Sequence, residues 1–160
     1  AFVADEPSQE ITAAQLNMTF EVMANSLIYW TQDLLRHGLM LDGGRIFALT
    51  SAGGHRAWRE YGAVSAAKAA LEAHVRQLAV ELAPKNITVN AIQAGVTDTP
   101  ALRKVPGYET MIARALEMNP HERLTTPTDI AQAIVALSAP GTAWMTGNVI
   151  RVDGGEDITG

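Results

Sequence analysis

The sequence predicts an α/β fold in which parallel strands are covered by helices, and three observations carry that prediction. Arg45–Ser51 (RIFALTS) is a short apolar run of strand length. Residues 64–82 repeat apolar side chains at helical spacing, and residues 87–92 (ITVNAI) are β-branched enough to form the next strand. Strand, helix and strand within about 45 residues make a βαβ crossover, which joins parallel neighbours.

The elements follow in order. Thr12 with Gln15 reads as a capping box. Leu16, Phe20, Met23, Leu27, Trp30 and Leu34 then recur at steps of four and three, one apolar stripe on a single long helix that stops at Gly38. On the second long helix Val64, Ala67, Leu71, Val75, Leu78 and Leu82 share a face, and Pro84 ends it. Ala66, Ala69, Ala70 and Ala73 keep its flanks small, so another helix can approach closely. Thr126 before Pro127, with Asp129 in the first turn, marks a third helix whose inward side is Ile130, Ile134 and Leu137 and whose end is Pro140-Gly141. Val149–Val152 reads as a last strand before Asp153-Gly154-Gly155. Residues 97–119 are apolar only in patches and broken at Pro106-Gly107, the kind of segment that covers a ligand beyond a strand's carboxyl end.

Composition narrows the function classes. The chain of 160 residues is read as a single domain, with 48% hydrophobic and 18% charged residues. A net charge of −5 leaves no basic footprint for nucleic acid or an anionic membrane. No apolar run approaches the roughly 18 residues of a membrane span, and the first ten residues lack the basic start of a signal peptide. The absence of cysteine excludes disulfides, thiolate metal sites and a cysteine nucleophile, and suits a cytoplasmic location. His37, His55, His74 and His121 show no ligand spacing, so no metal site is expected. Arg123 after Pro120 is read as tying down a loop.

Chemistry enters at residues 51–95. Tyr61 and Lys68 are seven positions apart, which on a helix leaves side chains about 20° apart in azimuth and roughly 10.5 Å apart in rise. An ammonium nearby favours the ionised phenol, and a tyrosine so placed can donate to an oxygen that gains negative charge. Spacing alone leaves two readings open: a reacting pair, or a half-buried tyrosine beside a solvent lysine.

The wider pattern resembles a known family. A strand ending in Thr50-Ser51, Tyr61 ten positions later, an alanine-rich helix after Lys68, VNAIQAGVTDTPAL, NPHERLTTPTDIA and the closing TGNVIRVDGG look like the carboxyl-terminal two-thirds of a short-chain dehydrogenase/reductase. That resemblance implies a doubly wound, Rossmann-like parallel sheet. Commoner members place three residues between tyrosine and lysine, where this chain has Val64. The Y-x6-K spacing is similar to that of the family's enoyl-acyl-carrier-protein reductases, particularly the NADPH-dependent type with serine at the strand end. The resemblance implies that Tyr61 binds the thioester carbonyl of a trans-2-enoyl substrate while hydride from NADP or NAD, NADPH being favoured, attacks the β-carbon. It further implies that Lys68 holds the nicotinamide ribose, that Ser51 lines the site, that Gly95, Val96 and Thr97 meet the carboxamide, and that Thr99 reaches a phosphate. The simpler alternatives are a turn-forming serine at 51 and a capped helix start at Thr97 and Thr99. An acyl thioester on an acyl carrier protein is the implied substrate, and a homodimer or homotetramer packed through the two long helices is the implied assembly. Tyr108, Met111, Ile112, Leu116 and Met118 are candidates for an acyl channel, with core packing as the alternative.

Two departures stand out. The family's asparagine, eight residues before Thr31, is replaced by Met23, and Asn25 lies two residues off. No glycine-rich turn that seats a pyrophosphate is present. The chain is therefore expected to begin after the fourth strand, its amino-terminal half absent. A surviving part of a longer protein is favoured over a remnant that binds no dinucleotide, because a parallel sheet lacking half its strands exposes a long edge. Two other functions compete: a 3-ketoacyl or other carbonyl reductase, against which Val64 speaks, and a catalytically inactive interaction module.

Overall fold

The computed structural model describes residues 1–59, 61–105 and 107–159. Three strands form one parallel sheet in the order β1 (Arg45–Ser51), β2 (Thr88–Ala94) and β3 (Val149–Val152). The strands at 45–51 and 149–152 lie where the sequence predicts them, and β2 runs two residues beyond its predicted end. β2 is buried from Thr88 to Gln93, which suits a central strand with a ladder on each side. The register sets Ser51 opposite Ala94 and Ala94 opposite Val152, so all three strands end side by side.

The helix α3 (Gly62–Leu82) covers one face of this sheet. It buries Ala67, Leu71, Val75, Leu78, Ala79 and Leu82, the predicted stripe except for Val64 at its first turn. Leu71, Val75, Leu78, Ala79 and Leu82 join Ile46, Ala48, Ile87, Val89 and Ala91 in a continuous core. The capping box at Thr126 and Asp129 starts α5 (Pro127–Leu137), where the predicted inward residues Ile130, Ile134 and Leu137 are half-buried.

The predicted first helix requires correction. α1 (Ala13–Phe20) starts at the Thr12–Gln15 capping box, but a π-helical turn at Glu21–Asn25 separates it from α2 (Ser26–Arg36). Such a turn inserts one residue and rotates everything after it by about 100°. Trp30 accordingly turns outward, 69% exposed, while its neighbour Thr31 is 3% exposed. The inward side of α2 is Leu27, Thr31 and Leu35 rather than Leu27, Trp30 and Leu34. A second correction concerns residues 97–119, where Tyr108–Met118 forms a regular helix, α4. Gly107, at φ 75°, supplies the left-handed turn before it, and Pro106 lies outside the described residues.

Among the described residues no helix is long and apolar enough to cross a membrane, and no His, Asp and Glu side chains group as metal ligands. The centre of β2 is the place where lost packing is felt most. Ile92→Ala, at a fully buried side chain, is expected to cost about 2–5 kcal/mol in a denaturant titration.

Candidate active site

The aligned strand ends create the site. At the end of β1 the chain makes a short 3-10 turn, Ala52–Gly54, and the Ser51 hydroxyl accepts the Gly53 amide at 3.3 Å. Tyr61 caps the start of α3, and its ring lies against Gly53 so closely that an added Cβ there would meet the ring Cε1 at 2.6 Å. The same Cβ would stand 3.2 Å from the Ser51 oxygen, so Gly53 is the seat on which both side chains converge. Trp58 braces the tyrosine from its side, edge to face at 5.7 Å between ring centres. Ser65, one turn into α3, ties helix and turn together through a hydrogen bond from its hydroxyl to the Gly53 carbonyl.

Lys68 is not placed beside them. Its ammonium donates to the Leu49 carbonyl of β1 at 2.6 Å, and it is not among the residues lining the cleft onto which Ser51 and Tyr61 open. Burial pushes its pKa below that of an exposed lysine, and the nearby Glu72 carboxylate opposes the shift. Glu72 itself accepts the Thr50 hydroxyl at 2.7 Å.

Gly95, Val96, Thr97 and Thr99, beyond the end of β2, do line that cleft. Gly95 has no space for a side chain, because Thr125, Glu156 and the backbone of Asp153 crowd its Cα. The Val96 amide donates to the Glu156 carboxylate at 3.0 and 3.3 Å. Burial pushes the Glu156 carboxyl up, the Val96 hydrogen bond pulls it down, and Asp153 and Asp157 push it up again. The Thr97 hydroxyl donates to the Gly95 carbonyl, whereas the Thr99 hydroxyl accepts the amide of Leu102, the first residue of a short 3-10 turn whose cap position is Ala101.

The cleft encloses about 840 Å³, within the range of small-molecule sites. Met111, Ala115 and Met118 of α4 form an apolar wall, with Leu102, Val105 and Met23 beside them. Tyr108, Ile112 and Leu116, grouped with them in the sequence, do not line it. Met23 is thus a wall residue where the family has its asparagine, and Asn25 instead faces His74 at 3.2 Å.

Sequence reasoning missed the cluster at the cleft floor. Asp157, its side chain 3% exposed, has His55 Nε2 at 3.0 Å, Gln93 Nε2 at 2.9 Å and Arg151 Nε at 3.2 Å on Oδ2. Arg56 Nε stands 2.8 Å from Oδ1, off line for a hydrogen bond, and Arg56 Nη2 donates to the Asp157 carbonyl at 2.7 Å. Burial pushes this carboxyl up, but the Gln93 hydrogen bond, then Arg56, His55 and Arg151, pull it down further and hold it ionised. The only sequence sign was the run of acids in VDGGEDI; nothing ties it to His55 and Arg56 a hundred residues earlier.

The chain is similar to known reductases. The NADH-dependent enoyl-[acyl-carrier-protein] reductase of Synechocystis is 40% identical over 122 residues, 76% of this chain and 47% of that protein. The NADPH-dependent enzyme of Staphylococcus aureus is 38% identical over 117 residues, 73% of this chain and 46% of that protein. The crystal structure of the NADH-dependent enzyme of Aquifex aeolicus superposes with a TM-score of 0.87 at 30% identity, over 94% of this chain and 58% of that one. The chain therefore spans about half the length of the curated relatives it matches. A sequence profile described as Enoyl-(Acyl carrier protein) reductase matches residues 1–156, nearly the whole chain. The family resemblance read from the sequence is borne out, and the chain belongs to the enoyl-(acyl carrier protein) reductase family.

Proposed function

We propose that this chain carries the reducing site of a nicotinamide-dependent reductase of 2-enoyl thioesters, acting in fatty acid synthesis on acyl groups held by an acyl carrier protein. One observation carries the reading: the Tyr61 phenol and the Ser51 hydroxyl, seated on Gly53, open on one cleft with an apolar, methionine-rich wall. That wall suits an acyl chain, and the two hydroxyls suit the thioester head.

The strip 94–97 fits a nicotinamide ring. Its side chains are small, its backbone lies on the cleft, and the Val96 amide already holds an oxygen acceptor in Glu156. Val96 would hold the carboxamide in place of that carboxylate. The bound cofactor supplies a hydride to the substrate's β-carbon. Tyr61 donates its hydroxyl hydrogen bond to the thioester oxygen, where negative charge collects as the enolate forms. A proton then reaches Cα, and the double bond has gained one hydride and one proton. To reach a ribose, the half-buried Lys68 ammonium would exchange the Leu49 carbonyl for the sugar hydroxyls. NADPH is the proposed donor on the Y-x6-K spacing with serine at the strand end; the relatives' names divide between NADH and NADPH. The proposal extends to a cytoplasmic homodimer or homotetramer, for which the exposed Met18, Val22, Tyr29 and Trp30 offer an apolar helical face.

The purified protein, supplied with NADPH or NADH, is expected to consume cofactor with a 2-enoyl thioester and not with a 3-ketoacyl thioester. Tyr61→Phe is expected to lower kcat by about a hundredfold or more; an unchanged rate would remove Tyr61 from the chemistry. The pH profile tests the lysine. Its proton is held less tightly in the folded chain than in an exposed lysine, so activity that needs the ammonium is lost as pH rises through a value below 10.5. Because Glu72 supports the charged form, Glu72→Gln is expected to move that alkaline limb to lower pH, and a limb that stays in place would show that Lys68 does not set it.

A further inference from the structure

We infer that Asp157 is a positioning residue: it clasps the turn on which Tyr61 is seated to the ends of the second and third strands. The inference rests on reading Tyr61 as the reacting group. Asp157 lies in the last 3-10 turn, Glu156–Ile158, and its own place is fixed by the segment after β3. Its amide donates to Asp153 Oδ2 at 3.1 Å, Asp153 Oδ1 accepts the Gly155 amide at 3.0 Å, and Asn119 donates to the Asp153 carbonyl at 2.9 Å. Thr159 adds a hydrogen bond to the Met118 carbonyl, at the end of the helix that walls the cleft.

From this anchor the carboxylate reaches three elements. Gln93 on β2 and Arg151 on β3 fix it to the sheet, and His55 and Arg56 bring in the loop that follows β1. Arg56 meets both the side chain and the backbone carbonyl of Asp157, so the loop is held at two points. The turn that ends one residue upstream of that pair, Ala52–Gly54, holds the Gly53 that lies under the Tyr61 ring. Ser65 contacts both the Gly53 and the Arg56 carbonyls, which couples the clasp to the first turn of α3. A carboxylate with this burial is held ionised only by its partners, and the partners are held in turn by the carboxylate. Removing its charge releases His55 and leaves Arg56 held only by the Asp157 carbonyl, so the turn loses its side-chain tie to the sheet. The seat of Tyr61 then loosens, and a small displacement of a reacting group costs rate more than binding.

Amide hydrogen exchange on Asp157→Asn, compared with the unsubstituted protein, tests this without needing turnover. The expected result is faster exchange in residues 51–62 with residues 127–137 unchanged. His55→Gln, on the 43% exposed rim of the cluster, is expected to give a smaller rise in the same segment and guards against a first variant that does not fold. Exchange that is unchanged in 51–62, or that rises equally in 127–137, would overturn the clasp. With a 2-enoyl thioester, Asp157→Asn is expected to lower kcat by about tenfold while KM stays within about twofold. A loss confined to thermal stability, with kcat per folded molecule intact, would overturn the link to Tyr61. If the unsubstituted protein reduces no enoyl thioester, the reductase reading fails, while the exchange data still decide whether Asp157 holds the turn.

Discussion

The structure depends on the burial of β2. A strand sealed from water along six residues must have its backbone groups paired on both sides and its side chains covered, because unpaired amides and carbonyls are costly away from water. β1 and β3 meet the first requirement, and α3 meets the second on one face with its row of alanine, leucine and valine. Parallel pairing in a fixed register then brings Ser51, Ala94 and Val152 to one edge of the sheet. The cleft lined by Ser51, Tyr61 and residues 94–97 lies at that edge.

Polar groups collected at a sheet edge have to be reconciled with partial burial, and this chain does so by pairing. Glu72 takes the Thr50 hydroxyl, Lys68 takes the Leu49 carbonyl, and Asp157 is met by one side-chain amide, one imidazole and two guanidinium groups. Glu156 is the less settled member: burial pushes its carboxyl up, its one shared amide pulls it down, and two neighbouring acids push it up again, whereas that of Asp157 is pulled down. The Tyr61 phenol opens instead on the cleft. Partners on every side hold a charged group still, whereas a hydroxyl directed into open space is ready for a substrate oxygen.

Local patterns were legible in the sequence where local physics decides them. The strands at Arg45–Ser51 and Val149–Val152, the α3 stripe, the Thr12–Gln15 capping box and the helix start at Thr126-Pro127 could be read directly from residue type and spacing. The π-helical turn could not, because residues 21–25 carry no proline, glycine pair or other break, and its effect shows only in the exchange of Trp30 for Thr31 on the inward side. Helix α4 was hidden by patchy apolarity: its inward side is only the narrow row Met111, Ala115 and Met118. For the site, the Ser51–Tyr61 pairing was legible, since both belong to one strand–turn–helix passage. The Asp157 cluster was not, because its members lie up to 102 residues apart and only the fold brings them together. Lys68 was placed on the right helix, but its bond to the Leu49 carbonyl depends on how that helix packs over β1, which spacing does not reveal.

The central claim is that this edge directs hydride to the β-carbon of an enoyl thioester while Tyr61 holds the carbonyl oxygen. The most direct test uses a nicotinamide donor carrying deuterium at its reactive position, with mass-spectrometric location of the label in the product. The account predicts a saturated thioester with one deuterium on the β-carbon and a solvent-derived hydrogen on Cα. Deuterium on Cα, or a saturated product without label, would contradict it.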